Sequence, residues 1–164
     1  MKAGRCLVGA VVLMAASLLG CAAMLDVSAA GASMVATGYR LVGADGGVFP
    51  FGPGAPYEGS MGGRRLAAPV VGMMAITANA GGYDLVGADG GVFTFGWIAT
   101  YFGSEAGQHL AAPVVGIAPA GANGNEYDLV AADGGVFSYG NASFDGSAGG
   151  FHLAAPIVAI APAY

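Results

Sequence analysis

The chain has 164 residues, of which 55% are hydrophobic and only 9% are charged, and it contains 31 glycines. Its length suits one domain once a targeting segment is set aside, and its high apolar and low charged content exclude a disordered chain. Beyond Arg5, three arginines face ten acidic residues, a net charge of −7, so we expect no nucleic-acid partner. Glycine beside valine, phenylalanine, tyrosine and leucine predicts short strands joined by tight turns.

The amino terminus predicts export. Lys2 and Arg5 precede a stretch of apolar or small residues over 6–25, which is the pattern of a secretory signal. The tetrapeptide at 18–21, Leu-Leu-Gly-Cys, resembles a bacterial lipobox, so we predict a lipid on Cys21 that anchors the protein in a membrane.

Two alternatives stay open at this terminus. Small residues at 27–29 match the positions that a signal peptidase reads and predict cleavage after Ala29 instead, while about 20 apolar residues can also remain in a bilayer as an uncleaved anchor. Each alternative places the body outside the cytoplasm, in the cell envelope or in the medium. We assign residues 1–29 to the export signal, 30–38 to a short lead-in and 39–164 to a three-repeat β domain.

Internal repetition is the strongest pattern in the body of the chain. Asp45, Asp89 and Asp133 stand 44 residues apart, and each begins the sequence Asp-Gly-Gly-Val-Phe. The flanking residues repeat as well: Tyr39, Tyr83 and Tyr127; Gly52, Gly96 and Gly140; Ser60, Ser104 and Ser147; Leu66, Leu110 and Leu153; Pro69, Pro113 and Pro156. A fixed period of this length is typical of propellers and solenoids. The body contains no cysteine, so we expect packing and strand pairing, without disulfides, to stabilise it.

Each unit is predicted to contain a β-hairpin. In the second unit, Tyr83 to Ala88 and Gly91 to Phe95 form the two strands, and Asp89-Gly90 forms a type I′ turn between them, since glycine accepts positive φ freely and aspartate tolerates it. Alternation along the strands places Tyr83 and Leu85 on one face, opposite the phenylalanines of the partner strand.

A third strand is predicted after the proline of each unit, because proline can begin a strand but not occupy the interior of a central one. These strands are Val70-Val71, Val114 to Ile117 and Ile157 to Ile160. We expect the last of them to close onto the first hairpin, near a weak strand over 33–37, and thereby to remove an exposed pairing edge.

The units resemble the tandem repeat of exported actinobacterial proteins, in which Tyr-x-Leu-Val-x-x-Asp-Gly-Gly-Val-Phe-x-Phe-Gly leads to Tyr-Gly-Ser and then to Ala-Pro-Val-Val-Gly-Ile. The resemblance covers nearly all of the chain from Tyr39 onward. It implies propeller-blade-like units that accompany wall-associated or hydrolytic proteins and carry no catalytic motif of their own. Here Arg40, Asp84 and Asp128 occupy a position at which those repeats commonly have an aromatic residue.

The three units leave two all-β architectures open. Three blades are too few for a closed propeller, so a second copy of the chain would complete a six-bladed homodimer. Alternatively, the units close within one chain as a compact pseudo-three-fold fold such as a trefoil or prism.

The sequence predicts no enzyme, no metal and no cofactor. The repeated serines each follow a glycine, but the glycine two residues earlier that a nucleophile elbow requires is missing. Arg65, His109 and His152 occupy one repeat position, where arginine cannot ligate a metal. Under three-fold closure these three side chains could converge as an anion site.

Ligand binding is predicted at the loops that differ between units, because loops on a repeated scaffold usually carry specificity. We select Trp97, Tyr101 and Tyr57, whose rings could stack on a sugar or on the apolar surface of a partner protein. Inward packing is the competing interpretation for Tyr57, Tyr101 and Phe144. The predicted function is a non-catalytic envelope or secreted module that binds a glycan or a protein. The alternatives are an accessory part or remnant of a secreted hydrolase and a purely structural role.

Overall fold

The computed structural model describes residues 37–76, 81–121 and 124–163, which all belong to the unit Val35–Tyr164. Cys21 and nearly all of the weak strand predicted over 33–37 lie outside these residues. Every regular element in the described part is a β-strand, which confirms the all-β class. Those residues therefore include no helix of the length and apolar character needed to cross a membrane.

Eight strands form three antiparallel sheets with the orders β1-β2, β3-β4-β5 and β6-β7-β8. The strands are β1 Tyr39–Val42, β2 Val48–Phe51, β3 Val70–Ala75, β4 Tyr83–Gly87, β5 Val92–Phe95, β6 Val114–Ala120, β7 Glu126–Ala131 and β8 Val136–Tyr139.

The predicted hairpin of the second unit is confirmed, and hairpins with the same register occur on either side of it. Tyr83 pairs with Phe95 across β4 and β5, just as Tyr39 pairs with Phe51 and Tyr127 with Tyr139. In each hairpin an aromatic pair closes the end away from the turn, where such cross-strand pairs stabilise a sheet.

The turn between the hairpin strands differs from the predicted type I′ turn. Gly87 N donates to Gly91 O at 2.8 Å and Gly90 N donates to Gly87 O at 2.9 Å, so the loop contains three residues instead of two. Gly90 has a φ of 77°, the position that a left-handed glycine takes after a type I turn. Asp89 Oδ1 accepts from Gly91 N at 3.1 Å, so its carboxylate stabilises the turn.

The strand that follows each proline pairs with the next hairpin along the chain. β3 pairs with β4 and β6 with β7, and each of these pairings has an irregularity at its start, between Val70 and Gly72 and between Val114 and Gly116. The start of each strand is tied to the turn of its own unit, because Val70 N donates to Ala44 O and Val114 N to Ala88 O.

The prediction of a strand at Ile157 to Ile160 is wrong, and so is the prediction that this strand closes onto the first hairpin. Ile157 N does donate to Ala132 O at 2.9 Å, so the segment starts as β3 and β6 do. It then runs without strand pairing in the described part. The physical reason is that β3 and β6 each pair with the hairpin that follows them, and residues 157–160 have no such hairpin beside them in the described part.

The core lies where consecutive sheets pack on each other. Tyr83 and Leu85 of β4 pack with Val48 and Val70 of the preceding unit. A second cluster forms around Tyr127 and Leu129 of β7, and its other members are Met74, Ile76, Val86, Val92, Val114 and Ile117. Burial of one such large apolar side chain stabilises the fold by about 1.5–3 kcal/mol.

The first sheet is the exception to this packing. Tyr39 and Leu41 occupy the positions of Tyr83 and Leu85, yet Tyr39 is 62% exposed whereas Tyr83 is 0% exposed. β1 pairs only with β2 among the described residues. One apolar face and one strand edge of this hairpin are therefore uncovered there.

Candidate functional site

The three aromatic residues selected from the sequence all point their rings toward solvent. Trp97 is 82% exposed in the turn after β5, and Tyr57 and Tyr101 are also exposed, in the loops that follow β2 and β5. Phe144 is exposed as well. The interpretation that Tyr57, Tyr101 and Phe144 pack inward is therefore wrong.

A local hydrogen bond orients Tyr101. Its hydroxyl donates to Ser104 Oγ at 2.9 Å, and Tyr57 makes the same bond to Ser60 Oγ at 3.1 Å. Ser104 Oγ also accepts from Ala106 N at 3.4 Å. These serines thus stabilise the loops through local hydrogen bonds.

The loop that carries Tyr101 is held from two sides. Glu105 N donates to Gly90 O at 3.0 Å, which ties the loop to the turn of its own hairpin. From the next unit, the hydroxyl of buried Tyr127 donates to Gly103 O at 2.7 Å and accepts from Phe102 N and Gly103 N, both at 3.1 Å. Burial raises the pKa of Tyr127, so this hydroxyl stays protonated and remains a donor.

Tyr101 forms one wall of a groove between the first and second units. The groove has a volume of about 390 Å³. Its apolar surface consists mainly of Leu66, Val92 and Phe93. Four residues with polar side chains also line it: Arg65, Asp89, Tyr101 and Ser104. The arrangement combines an aromatic surface with both hydrogen-bond donors and acceptors.

A second groove of about 360 Å³ lies between the second and third units. It shares part of its lining with the first groove, with His109, Leu110, Asp133 and Phe137 at the positions of Arg65, Leu66, Asp89 and Phe93, but no loop aromatic lines it as Tyr101 lines the first. Arg65 and His109 therefore line two separate grooves and do not converge on a common anion. The structure assigns Trp97 and Tyr57 to neither groove.

Asp84 is a buried carboxylate that the sequence interpretation did not single out as functional. It lies in the centre of β4 opposite Met74 and Thr94, and neither carboxylate oxygen has a hydrogen-bond partner. Burial raises the pKa of Asp84 to about 6, although the nearby Thr94 hydroxyl counteracts the rise. The signal in the sequence was an acidic residue between Tyr83 and Leu85 in a strand that is otherwise apolar.

No metal centre is formed by the residues that the structure describes, since no three of their His, Cys, Asp or Glu side chains come together. The chemistry that the grooves can perform is recognition through stacking and hydrogen bonds. Comparison of the chain with protein-family models, with curated proteins and with solved structures gave no match. The grooves and the surfaces around them thus carry the functional argument.

Proposed function

We propose that this protein is an exported, non-catalytic module that binds a glycan in the groove formed by Tyr101 and Arg65. The observation that carries the proposal is the groove of about 390 Å³, which places an oriented tyrosine beside a carboxylate, a guanidinium and a hydroxyl. A small-molecule site needs this combination of apolar lining and a few fixed polar groups.

A sugar ring matches these groups in chemistry. Its C–H faces pack on aromatic rings such as Tyr101 and Phe93. Its hydroxyls both donate and accept hydrogen bonds, which suits Asp89 as an acceptor and Arg65 as a donor. Because Ser104 and Tyr127 fix the loop in place, little entropy is lost when Tyr101 is ordered on binding.

Export and the repeated fold support an envelope role. A lipid on Cys21, or cleavage after Ala29, would present the grooves at the cell surface or in the medium. The shared register of the three hairpins supports propeller-like blades, with β3 and β6 as first strands of their blades. The net negative charge disfavours a nucleic-acid ligand.

Substitution of the groove tyrosine tests the proposal. We expect Tyr101→Ala to weaken binding of soluble neutral and N-acetylated cell-wall oligosaccharides about tenfold, because an aromatic contact contributes about 1 kcal/mol beyond its buried area. Isothermal titration calorimetry measures the dissociation constants. Tyr101→Phe retains the ring and should lose less affinity than Tyr101→Ala.

Trp97→Ala is the matched control, since it removes a more exposed aromatic side chain without touching either groove. Unchanged affinity for Tyr101→Ala together with a loss for Trp97→Ala would move the binding surface to the tryptophan. If the unsubstituted protein binds none of the oligosaccharides, the glycan proposal is wrong.

A further inference from the structure

The two ends of the repeated domain are complementary to each other. At the first hairpin, the apolar side chains of Tyr39 and Leu41 are exposed, and Tyr39 stacks on its cross-strand partner Phe51, with ring centroids 5.2 Å apart. Their counterparts in the next two hairpins are fully buried against the preceding unit. Among the described residues, the first hairpin thus presents the surface that the other two hairpins bury.

The last unit carries the opposite surface. A cavity of about 420 Å³ opens there, lined by Val130, Val136, Ile157 and Ile160 among others. The same positions in the second unit are Val86, Val92, Val114 and Ile117, and they pack around Tyr127 and Leu129 of the third. The cavity is therefore the equivalent of the space that a following tyrosine and leucine fill inside the chain.

A glycine in the last loop gives independent evidence. Gly59, Gly103 and Gly146 hold one repeat position with φ between 121° and 141°. A Cβ at Gly59 would lie 2.5 Å from the Phe95 ring, and one at Gly103 would lie 2.6 Å from the Tyr139 ring. At Gly146 no atom lies within 4 Å. The surface beside Gly146 could therefore accept the aromatic ring of a following hairpin. In the first hairpin, Phe51 is the residue at the position of Phe95 and Tyr139.

Pairing in the interior also defines a register for the ends. Gly72 pairs with Val86 and Gly116 with Val130, which makes Ala159 the partner of Val42. By the same rule Ile160 pairs with Leu41. Residues 157–160 already start as β3 and β6 do. Ile157 N donates to Ala132 O, just as the first amides of β3 and β6 donate to the turns of their own units.

From these four observations we propose that the last unit of one copy binds the first hairpin of a second copy, head to tail, and that two copies close by making this contact twice. Within one chain the last segment lies against Gly116 of the third sheet, and the first hairpin stays uncovered. The closed pair has six units, within the range in which propellers close. It also pairs the exposed edge of β1 in each chain.

Disruption from either side tests the contact. In the exported protein, sedimentation velocity at about 10 μM should show a dimer, because specific protein–protein contacts commonly have dissociation constants in the micromolar range or below. Leu41→Glu should raise the dissociation constant about a hundredfold or more, since it places an unpaired charge in the apolar contact. Leu41 is exposed in one chain, so this change should leave the fold intact, as far-UV circular dichroism would show.

Val158→Glu is the matched control on the other surface. Val158 is exposed and corresponds to Val71. Val71 stays exposed although β3 is paired with β4, so a side chain at this position does not enter the contact. We therefore expect Val158→Glu to remain a dimer. Ile160→Glu should dissociate the pair. An equimolar mixture of Leu41→Glu and Ile160→Glu retains one intact contact, so dimers should reappear only in the mixture.

A disulfide measures the register directly, because the body of the chain contains no cysteine. Val42→Cys combined with Ala159→Cys should link two copies on mild oxidation, since directly paired strand residues lie within disulfide reach. Arg40→Cys with Ala159→Cys should not link them.

A monomer at 100 μM, a disulfide within one chain or a species larger than a dimer would overturn the proposal of a closed pair. None of these results bears on glycan binding by the Tyr101 groove.

Discussion

At the scale of single residues, Asp84 is the side chain whose surroundings fit it least. Its carboxylate is fully buried, its oxygens lack hydrogen-bond partners, and burial raises its pKa to about 6. The folded state therefore binds a proton more tightly than the unfolded state, in which an aspartate has a pKa near 3.9. The contribution of Asp84 to stability is most favourable below about pH 4 and becomes unfavourable as the pH rises through 6.

We predict that Asp84→Asn stabilises the protein at pH 7 by up to about 3 kcal/mol, the free energy that corresponds to a pKa shift of about two units. The gain should disappear at pH 4, where the carboxyl of the unsubstituted protein is already neutral. Urea unfolding at the two pH values measures the difference. Asp145→Asn, at an exposed position, removes the same charge and should change stability little. An equal effect of Asp84→Asn at both pH values would contradict the assignment.

At the scale of elements, the hairpin turn contacts the loop that follows the hairpin. Gly90 and Gly107 have φ values of 77° and 80°, so alanine is strained at both to a similar degree. They differ in their surroundings, because a Cβ at Gly90 would lie 2.5 Å from Glu105 Cβ and one at Gly107 would meet no atom within 4 Å. The two glycines therefore separate backbone strain from the contact between turn and loop.

We predict that Gly107→Ala costs about 1 kcal/mol of unfolding free energy, from the left-handed backbone alone. Gly90→Ala should cost about 1–3 kcal/mol more, because the added methyl group displaces the loop that carries Tyr101. Thermal unfolding gives the comparison. Equal losses for the two variants would show that the turn does not support the loop.

The hairpins could be predicted from the sequence because their information is local. Alternating apolar residues on either side of Asp89-Gly90 define two strands and their shared face, and the observed bounds of β4 differ by one residue from the prediction. The length of the turn could not be predicted, since it depends on which glycine amide bonds to Gly87 O. The partner of each post-proline strand also escaped prediction, because pairing with the next unit is a tertiary contact.

The grooves show the same limit. Tyr101 was selected as an exposed loop aromatic, but Arg65 and Asp89 come from other segments and meet it only through the packing of two units. Each was noted for its repetition, which is a signal of structure and does not by itself indicate a site. Trp97 was selected for its uniqueness, and in the fold it stands apart from the groove.

At the scale of the whole molecule, the predicted export signal would determine where the grooves act. We predict that the mature protein carries a lipid on Cys21 and sediments with membranes, and that Cys21→Ser releases it. Mass spectrometry of the mature amino terminus measures the modification. A terminus at Ala30 without lipid, with the same localisation for Cys21→Ser, would show ordinary cleavage instead.

The position of each groove between two consecutive units has a consequence for valency. The described part of one chain forms two such grooves. Every head-to-tail contact between copies would create another, with His152 and Leu153 of one copy facing Asp45, Phe49 and Tyr57 of the other. Closure of two copies would therefore give six related sites around one ring, two of each of three kinds. Linked sites can raise apparent affinity by about 10²–10⁴, so a wall polymer with recurring sugars would be retained by avidity although each groove binds one sugar weakly.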